Sequence, residues 1–405
     1  MKKDSIIRLL TNRDYVLMVT GMFVSRCGTF MQTVAVNWQL YQMTKSPLSL
    51  GLLGLATFMP ILIGSFISGI AADIYNRKKI IFLVQIFSIA NSLALAYLTI
   101  MGKITPNLIY LLVGVDSLFY SFESPARQAM TPTLVDRKDF PMAVSINNIL
   151  YHATNFIGPA TAGFIIAFGG VHAVYLINAV SFVFVMIALV LMGPAKRNIT
   201  KPEFNLKGIR EGVEYVFKSP LIYGSMLIDF FATFFASATT LMPIFAVDIL
   251  GVGPKEMGFL YAAPSVGAIL AGLAMTILPD IKEKGKALMY SVIGYGLATI
   301  IFGLSKNYYL SLIFIGLTGA ADMVSVIIRN VIRQMTTPDH LRGRMVAINM
   351  IFYTGGPQLG EIEAGFAAQF MGTPLSVAAG GLATIVATIL VVSRIPRLRD
   401  YKEVE

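Results

Sequence analysis

The chain has 405 residues, 56% of them hydrophobic and only 13% charged, with a net charge of +10 and a mean hydropathy of +0.70. A soluble protein carries about 25% charged residues, so this chain lacks the polar surface to live in water and needs lipid as its solvent. The single Cys27 excludes an internal disulfide and any cysteine-based metal site.

Apolar runs near 20 residues are long enough to cross a ~30 Å hydrocarbon layer. Twelve such spans can be drawn: 15–40, 48–72, 80–101, 105–126, 142–168, 173–193, 221–246, 257–278, 287–304, 308–332, 344–371 and 374–393. An even count puts both termini on one side. Assigned to alternate connections, 26 Lys and Arg fall on the side of the termini and four (Lys45, Lys103, Lys255, Lys306) on the other. Two (Arg26, Arg329) lie inside spans. Basic residues collect in cytoplasmic loops, so both ends are expected in the cytoplasm. The basic excess is then a topology signal, and a nucleic-acid partner is not expected. The first run is too long for a cleavable signal peptide and is expected to remain as span 1.

Taken in order, span 1 carries Arg26 with Thr29 or Phe30 and Thr33 on one face, and Trp38 and Tyr41 at its outer end. Span 4 carries Asp116 and Glu123. Arg127 follows Glu123 by four residues, which favours a salt bridge along one helix face. In span 5, Asn147, Tyr151 and Asn155 form a stripe, with Asn148 and His152 beside it. The longest connection, 194–220, is basic and repeats Leu206, Ile209, Val213, Val216 and Phe217 at helical spacing. That pattern predicts a short amphipathic helix at the membrane surface, tethering two bundles at 1–193 and 221–405. In span 7, Asp229, Thr233 and Ser237 recur at i, i+4, i+8 and stack on one face. Span 10 carries Asp322 and Arg329 and starts with Tyr308 and Tyr309, while span 11 carries Glu361 and Glu363.

An intramembrane charge costs about 2.5–3.5 kcal/mol on insertion scales, so such groups face a partner or a wet cavity. Charge near mid-depth in spans 1, 4, 7 and 10 predicts that these helices surround a central aqueous path. The alternative is structural ion pairing between the halves. A carboxylate in such a site can exchange a proton near neutral pH. The candidate proton carriers, in order, are Asp229, Asp322, Glu361 or Glu363, and Asp116. Candidate cavity residues are Arg26, Thr33, Asn147, Tyr151, Asn155, Thr233, Ser237 and Tyr353. Arg26 can pair with a carboxylate or with an anionic substrate group.

The two halves repeat. Asp116, Arg127, Gln128, Thr131 and Pro132 return 206 residues later as Asp322, Arg333, Gln334, Thr337 and Pro338. Asn147, Tyr151, Gly158, Ala162, Gly163 and Phe164 return 202 later as Asn349, Tyr353, Gly360, Ala364, Gly365 and Phe366. Parallel repeats about an axis along the membrane normal build the alternating cavity of a large class of secondary transporters. No phosphate loop, nucleophile elbow or metal-ligand cluster occurs, which argues against an ATP-driven pump or an enzyme and implies no cofactor.

The segment Gly69-Ile-Ala-Ala-Asp73-Ile-Tyr-Asn76-Arg77-Lys78-Lys79 resembles the signature loop of the major facilitator superfamily, with Asn76 in place of the second Gly. The resemblance implies a latch between Asp73 and Arg127, and a degraded second latch between Asp280 and Arg333. Gly158-Pro159-Ala-Thr-Ala162-Gly163 resembles the Gly-Pro motif of the antiporter branch. Met31 to Tyr41, Gly51 to Ala56, and Ser124 to Ala129 followed by Pro132 resemble the enterobactin-exporter and macrolide-efflux branch. Helix 4 lacks that superfamily's multidrug Arg-x-x-Gln-Gly pattern. The implied protein is all-α, with twelve membrane helices in two pseudo-symmetric six-helix bundles. It is a monomer of a bacterial cytoplasmic membrane that exports a small amphipathic molecule, a siderophore or drug-like compound, in exchange for protons. Import of an iron–siderophore or nutrient, and a non-transporting sensor, are the alternatives.

Overall fold

The computed structural model describes residues 2–193, 206–279 and 281–402, and among them there is no strand. The helices run α1 (Lys2–Thr11), α2 (Arg13–Thr44), α3 (Pro47–Ile74), α4 (Arg77–Ile100), α5 (Pro106–Leu134), α6 (Phe140–Leu191), α7 (Leu206–Lys218) and α8 (Pro220–Phe235). After the short α9 (Met242–Ile244) come α10 (Pro254–Ile277), α11 (Lys284–Leu304), α12 (Tyr308–Thr336), α13 (Arg342–Met371), α14 (Thr373–Arg394) and α15 (Pro396–Arg399).

The starts of these helices are written locally. Thr105 accepts from the Leu108 amide ahead of Pro106, and Asn307 accepts from the Leu310 amide, each satisfying a donor that the first turn orphans. Spans 5 and 6 form one 52-residue helical run broken only at Gly170, whose φ of 74° is a left-handed conformation that side chains with a Cβ resist.

Length and hydropathy select eight helical stretches as able to cross a membrane, the kinked α6 counted once. The helices α2, α5 and α13 have 32, 29 and 30 residues but do not pass on hydropathy. They carry the interior charges (Arg26; Asp116 and Glu123; Glu361 and Glu363) that dilute their apolar character. Span 7 is present as one membrane-length stretch, Pro220–Ile249, but it is not a regular helix throughout: the helix stops at Phe235, turns at Ala236, and resumes as a 3-10 turn, α9 and the π-helical Phe245–Ile249.

Two compact units emerge. The first comprises Met1–Thr44, Ala56–Glu203 and Gly253–Ala262; the second comprises Lys45–Leu55, Phe204–Val252 and Ala263–Glu405. In the first, α2, α4, α5 and α6 pack around Met18, Met22, Ile81, Ala126, Met130, Val185 and Leu189. A buried polar knot holds the same helices together: Gln32 Oε1 accepts from Ser92 Oγ at 2.8 Å and from Asn178 Nδ2 at 2.9 Å. Gly28 lies so close to Asn178 and Ser181 that a Cβ would collide with them. Close approach of this kind, with hydrogen bonds between helices, is how apolar helices associate in lipid. At the tight turn after α3, Arg77 donates to the Ala129 carbonyl at 2.8 Å and so ties the turn to α5.

In the second unit, α8, α11, α12, α14 and α15 enclose a core of Ile228, Leu288, Val292, Ile328, Ile332 and Leu398. Gly360 of α13 sits against the backbone of Thr233 and Phe234, where no Cβ fits, so α13 lies directly on α8. The Cα of Gly51, in the α3 segment that belongs to this unit, likewise touches Gly365. The expected amphipathic helix is present as α7. Its Val216 is buried with Ile222, Met226 and Met345, Tyr215 donates to the Thr336 carbonyl at 2.8 Å, and Glu211 pairs with Arg344. The side chains of Leu206 and Ile209 lie outside the described residues, and Val213 and Phe217 are exposed.

Helix α1 is pinned to the first unit by a two-pronged pair. Arg8 Nε and Nη2 donate to the two oxygens of Asp139 at 2.9 and 2.6 Å, and Leu9 is buried beneath. These hydrogen bonds hold the Asp139 carboxyl at about 2, below its usual 3.8. A depressed carboxylate contributes stability that is complete above the unfolded value and lost as pH falls through the folded one, here between about 4 and 2. Hydrogen-exchange protection of α1 amides is therefore expected to fall across that window, and to be low already at neutral pH in Arg8→Ala. Unchanged protection in that variant would mean that Leu9 alone holds the helix.

Candidate functional site

Each unit holds interior charges, some paired and some apart. In the first unit, a cleft of about 380 Å³ opens among α2, α5 and α6. Arg26, Arg127, Gln128, Asn147 and Asn148 supply its polar wall, and Phe23 and Phe140 are among its apolar lining. Arg127 bonds Glu123 at 3.4 Å along α5, the i,i+4 bridge that the spacing favours, and Gln85 Nε2 donates to the other Glu123 oxygen at 3.2 Å. Asp116 accepts from Ser88 Oγ at 2.9 Å. The Arg26 guanidinium lies over the ring of Tyr151, 5.6 Å from its centroid, and Phe30 and His152 meet the same ring edge-on. Asn155 is half-buried one turn beyond Tyr151, while Thr33 is exposed and its hydroxyl returns to the Thr29 carbonyl.

In the second unit, a single guanidinium serves two carboxylates. Arg329 Nη2 lies 2.9 Å from Asp229 and 3.5 Å from Asp322. Arg329 and Asp229 are almost wholly buried, at 1% and 3% side-chain exposure, whereas Asp322 keeps 45%. Arg329 Nε and Nη1 are buried and have no partner among the described residues. Attraction to a cation strengthens as solvent is removed, so the dry Asp229 contact is the stronger of the two. Arg333, next along α12, donates to the Arg329 carbonyl and to Asn330 and Asn349. Glu361 and Glu363 are half-buried with no ion pair or hydrogen bond among the described residues, and Glu361 stands against Gly54.

Other expected groups are distributed differently. Thr233 faces back to the Asp229 carbonyl at 2.9 Å, and Ser237, beyond the end of α8, does not continue that helix face. Tyr353 is 49% exposed. Gly69 is surrounded by open space. The side chain of Asp73, and Asp280, lie outside the described residues, so neither latch is described; Arg127 and Arg333 have the partners given above. Sequence inspection missed Gln85, Ser88 and Asn349 as partners of these charges. One signal was available for Asn349, since Arg333 and Asn349 are the repeat counterparts of Arg127 and Asn147, which line one cleft.

A profile of the family described as transmembrane secretion effector matches residues 9–404. The chain belongs to that family, within the major facilitator superfamily. The enterobactin exporter EntS of Escherichia coli is 27% identical over 396 residues, 98% of this chain and 95% of the relative. EntS of Shigella boydii serotype 18 gives the same figures. A solved bacterial homologue of the lysosomal transporter Spinster, in an inward-facing state, superposes with a TM-score of 0.73 at 14% identity, covering 96% of both chains. A bacterial homologue of the iron transporter ferroportin also gives 0.73, at 16% identity, covering 96% of this chain and 99% of its own. At such identities these structures speak to the fold alone, which is the all-α major facilitator fold. The chain is a multi-pass membrane transporter of this superfamily.

Proposed function

We propose that this protein is a proton-coupled secondary transporter that exports a siderophore or similar small amphipathic molecule by alternating access. On this reading it has twelve membrane crossings, resides as a monomer in a bacterial inner membrane, and keeps both termini in the cytoplasm. It needs no cofactor and binds no nucleic acid. The siderophore follows from similarity to an enterobactin exporter across nearly the whole chain. The observation that motivates proton coupling is the unequal pair of carboxylates on Arg329 Nη2: buried Asp229 at 2.9 Å and the more exposed Asp322 at 3.5 Å. Asp322 is the weaker-held of the two carboxylates, and 45% of its side chain is exposed. Carboxylates inside membrane helices are where proton relays are built. On this reading Asp322 is the first candidate carrier, ahead of Asp229, with Glu361 next.

The test is transport by the purified protein in proteoliposomes, with iron-free enterobactin as the probe and an imposed pH gradient. Antiport moves substrate against the proton flow, so accumulation is expected when the lumen is acidic. Accumulation with an acidic exterior instead would replace export by proton-driven import. Equal uptake in both cases would remove the proton.

A further inference from the structure

We propose that the cleft of the first unit is an anion site, in which Arg26 binds the negatively charged group of an amphipathic substrate. This deepens the transporter reading and rests on it. Three observations converge.

The first is the state of Arg26. It lines the cleft half-buried, stacks on Tyr151, and makes no hydrogen bond or ion pair among the described residues. Stacking occupies the face of a guanidinium and leaves its N–H edge, with five donors in a planar fork, open to an oxyanion.

The second is an inverted correspondence between the repeats. The shift of 206 that maps Arg127 to Arg333 maps Glu123 to Arg329. Matching Thr29-Phe30 with Thr233-Phe234 places Asp229 opposite Ser25, the residue before Arg26. Each half therefore carries one charge on its first helix and the opposite charge at one position of its fourth, with the signs exchanged. In the second unit this pair is closed at 2.9 Å. In the first it is open, because both oxygens of Glu123 are held by Arg127 and Gln85. Among the described residues an anion is supplied to Arg329 and none is paired with Arg26.

The third is the remainder of the cleft. Phe23, Phe140, Met22 and Val19 form an apolar wall, while Asn147 and Asn148 offer amides beside the guanidinium. A ligand with a flat apolar body and one anionic oxygen group matches that division, and the uncharged form of the same body does not use Arg26.

The experiment compares two fluorescent probes that differ by one charged group, anilinonaphthalene sulfonate and the neutral phenylnaphthylamine. Both are titrated at equilibrium onto the full-length protein in nanodiscs, with empty nanodiscs as the blank. Arg26→Gln is expected to weaken the sulfonate by about tenfold or more, the worth of a charge-assisted hydrogen bond, and to leave the neutral probe within about twofold. Glu123→Gln, which unpairs Arg127 beside the same cleft, is expected to tighten the sulfonate alone; it serves as the decisive variant if Arg26→Gln does not fold. Loss of both probes in Arg26→Gln, or equal binding of the two by the wild type, overturns the anion site. So does indifference of the sulfonate to Glu123→Gln. Equilibrium binding needs no gradient and no direction, so a protein that fails to export against a pH gradient yet keeps this preference loses only the export reading.

Discussion

Arg329→Gln is expected to lower the stability of the folded protein by about 3–5 kcal/mol, the cost of removing one partner from a buried ion pair. The size follows from what is left behind. Asp229 has 3% of its side chain exposed and its cation is 2.9 Å away, so deletion of the guanidinium strands a carboxylate where water cannot replace it. Asp322, farther from the cation and 45% exposed, is expected to add less. The double variant Asp229→Asn with Arg329→Gln removes both buried charges and is expected to recover most of the loss, because neutral amides of similar shape carry a much smaller desolvation cost. Arg329→Lys should fall between, since an ammonium keeps the charge but is more strongly hydrated and sits on a more flexible stem. Thermal and denaturant unfolding in detergent or nanodiscs measures all three. If the double variant is as unstable as the single, Arg329 acts through packing and not as the counter-charge of Asp229.

How much of this was legible beforehand differs between levels. Helix positions are written in hydrophobic length, because lipid forbids unsatisfied backbone and leaves the helix as the only way for a single apolar segment to cross. The same criterion undervalues α2, α5 and α13, whose polar interiors are the reason they matter. The break after Phe235 had no such mark, for the residues beyond it are as apolar as those before, and periodicity does not distinguish a helix from a 3-10 or π turn over so few residues. Among the charged groups, the Glu123–Arg127 bridge is local and readable from i,i+4 spacing. The Asp229–Arg329 pair joins residues 100 positions apart and follows only from the packing of α8 against α12. The order of the proton-carrier candidates also depended on burial, since Asp229 and Asp322 look equivalent as letters and differ in exposure and in distance to Arg329.

That difference sets the second large effect. Asp322→Asn is expected to abolish pH-gradient-driven accumulation while leaving substrate counterflow, which needs no net proton movement, at a substantial fraction of wild type. The contrast is large because one pH unit is worth about 1.4 kcal/mol per proton, a tenfold accumulation for one-to-one exchange, which disappears entirely when no proton is carried. An amide at position 322 can still accept from Arg329, so the Asp229–Arg329 pair and the fold are retained, and a loss confined to the driven mode separates coupling from folding. Asp229→Asn should behave oppositely, weakening the protein itself, because it uncovers a buried guanidinium that already has two nitrogens without partners. Glu361→Gln provides the comparison within the same unit, as Glu361 is half-buried without an ion pair. Intact gradient-driven transport in both Asp322→Asn and Glu361→Gln would show that neither carboxylate moves the proton. Asp116, which accepts from the Ser88 hydroxyl at 2.9 Å, would then be the group to test in the first unit.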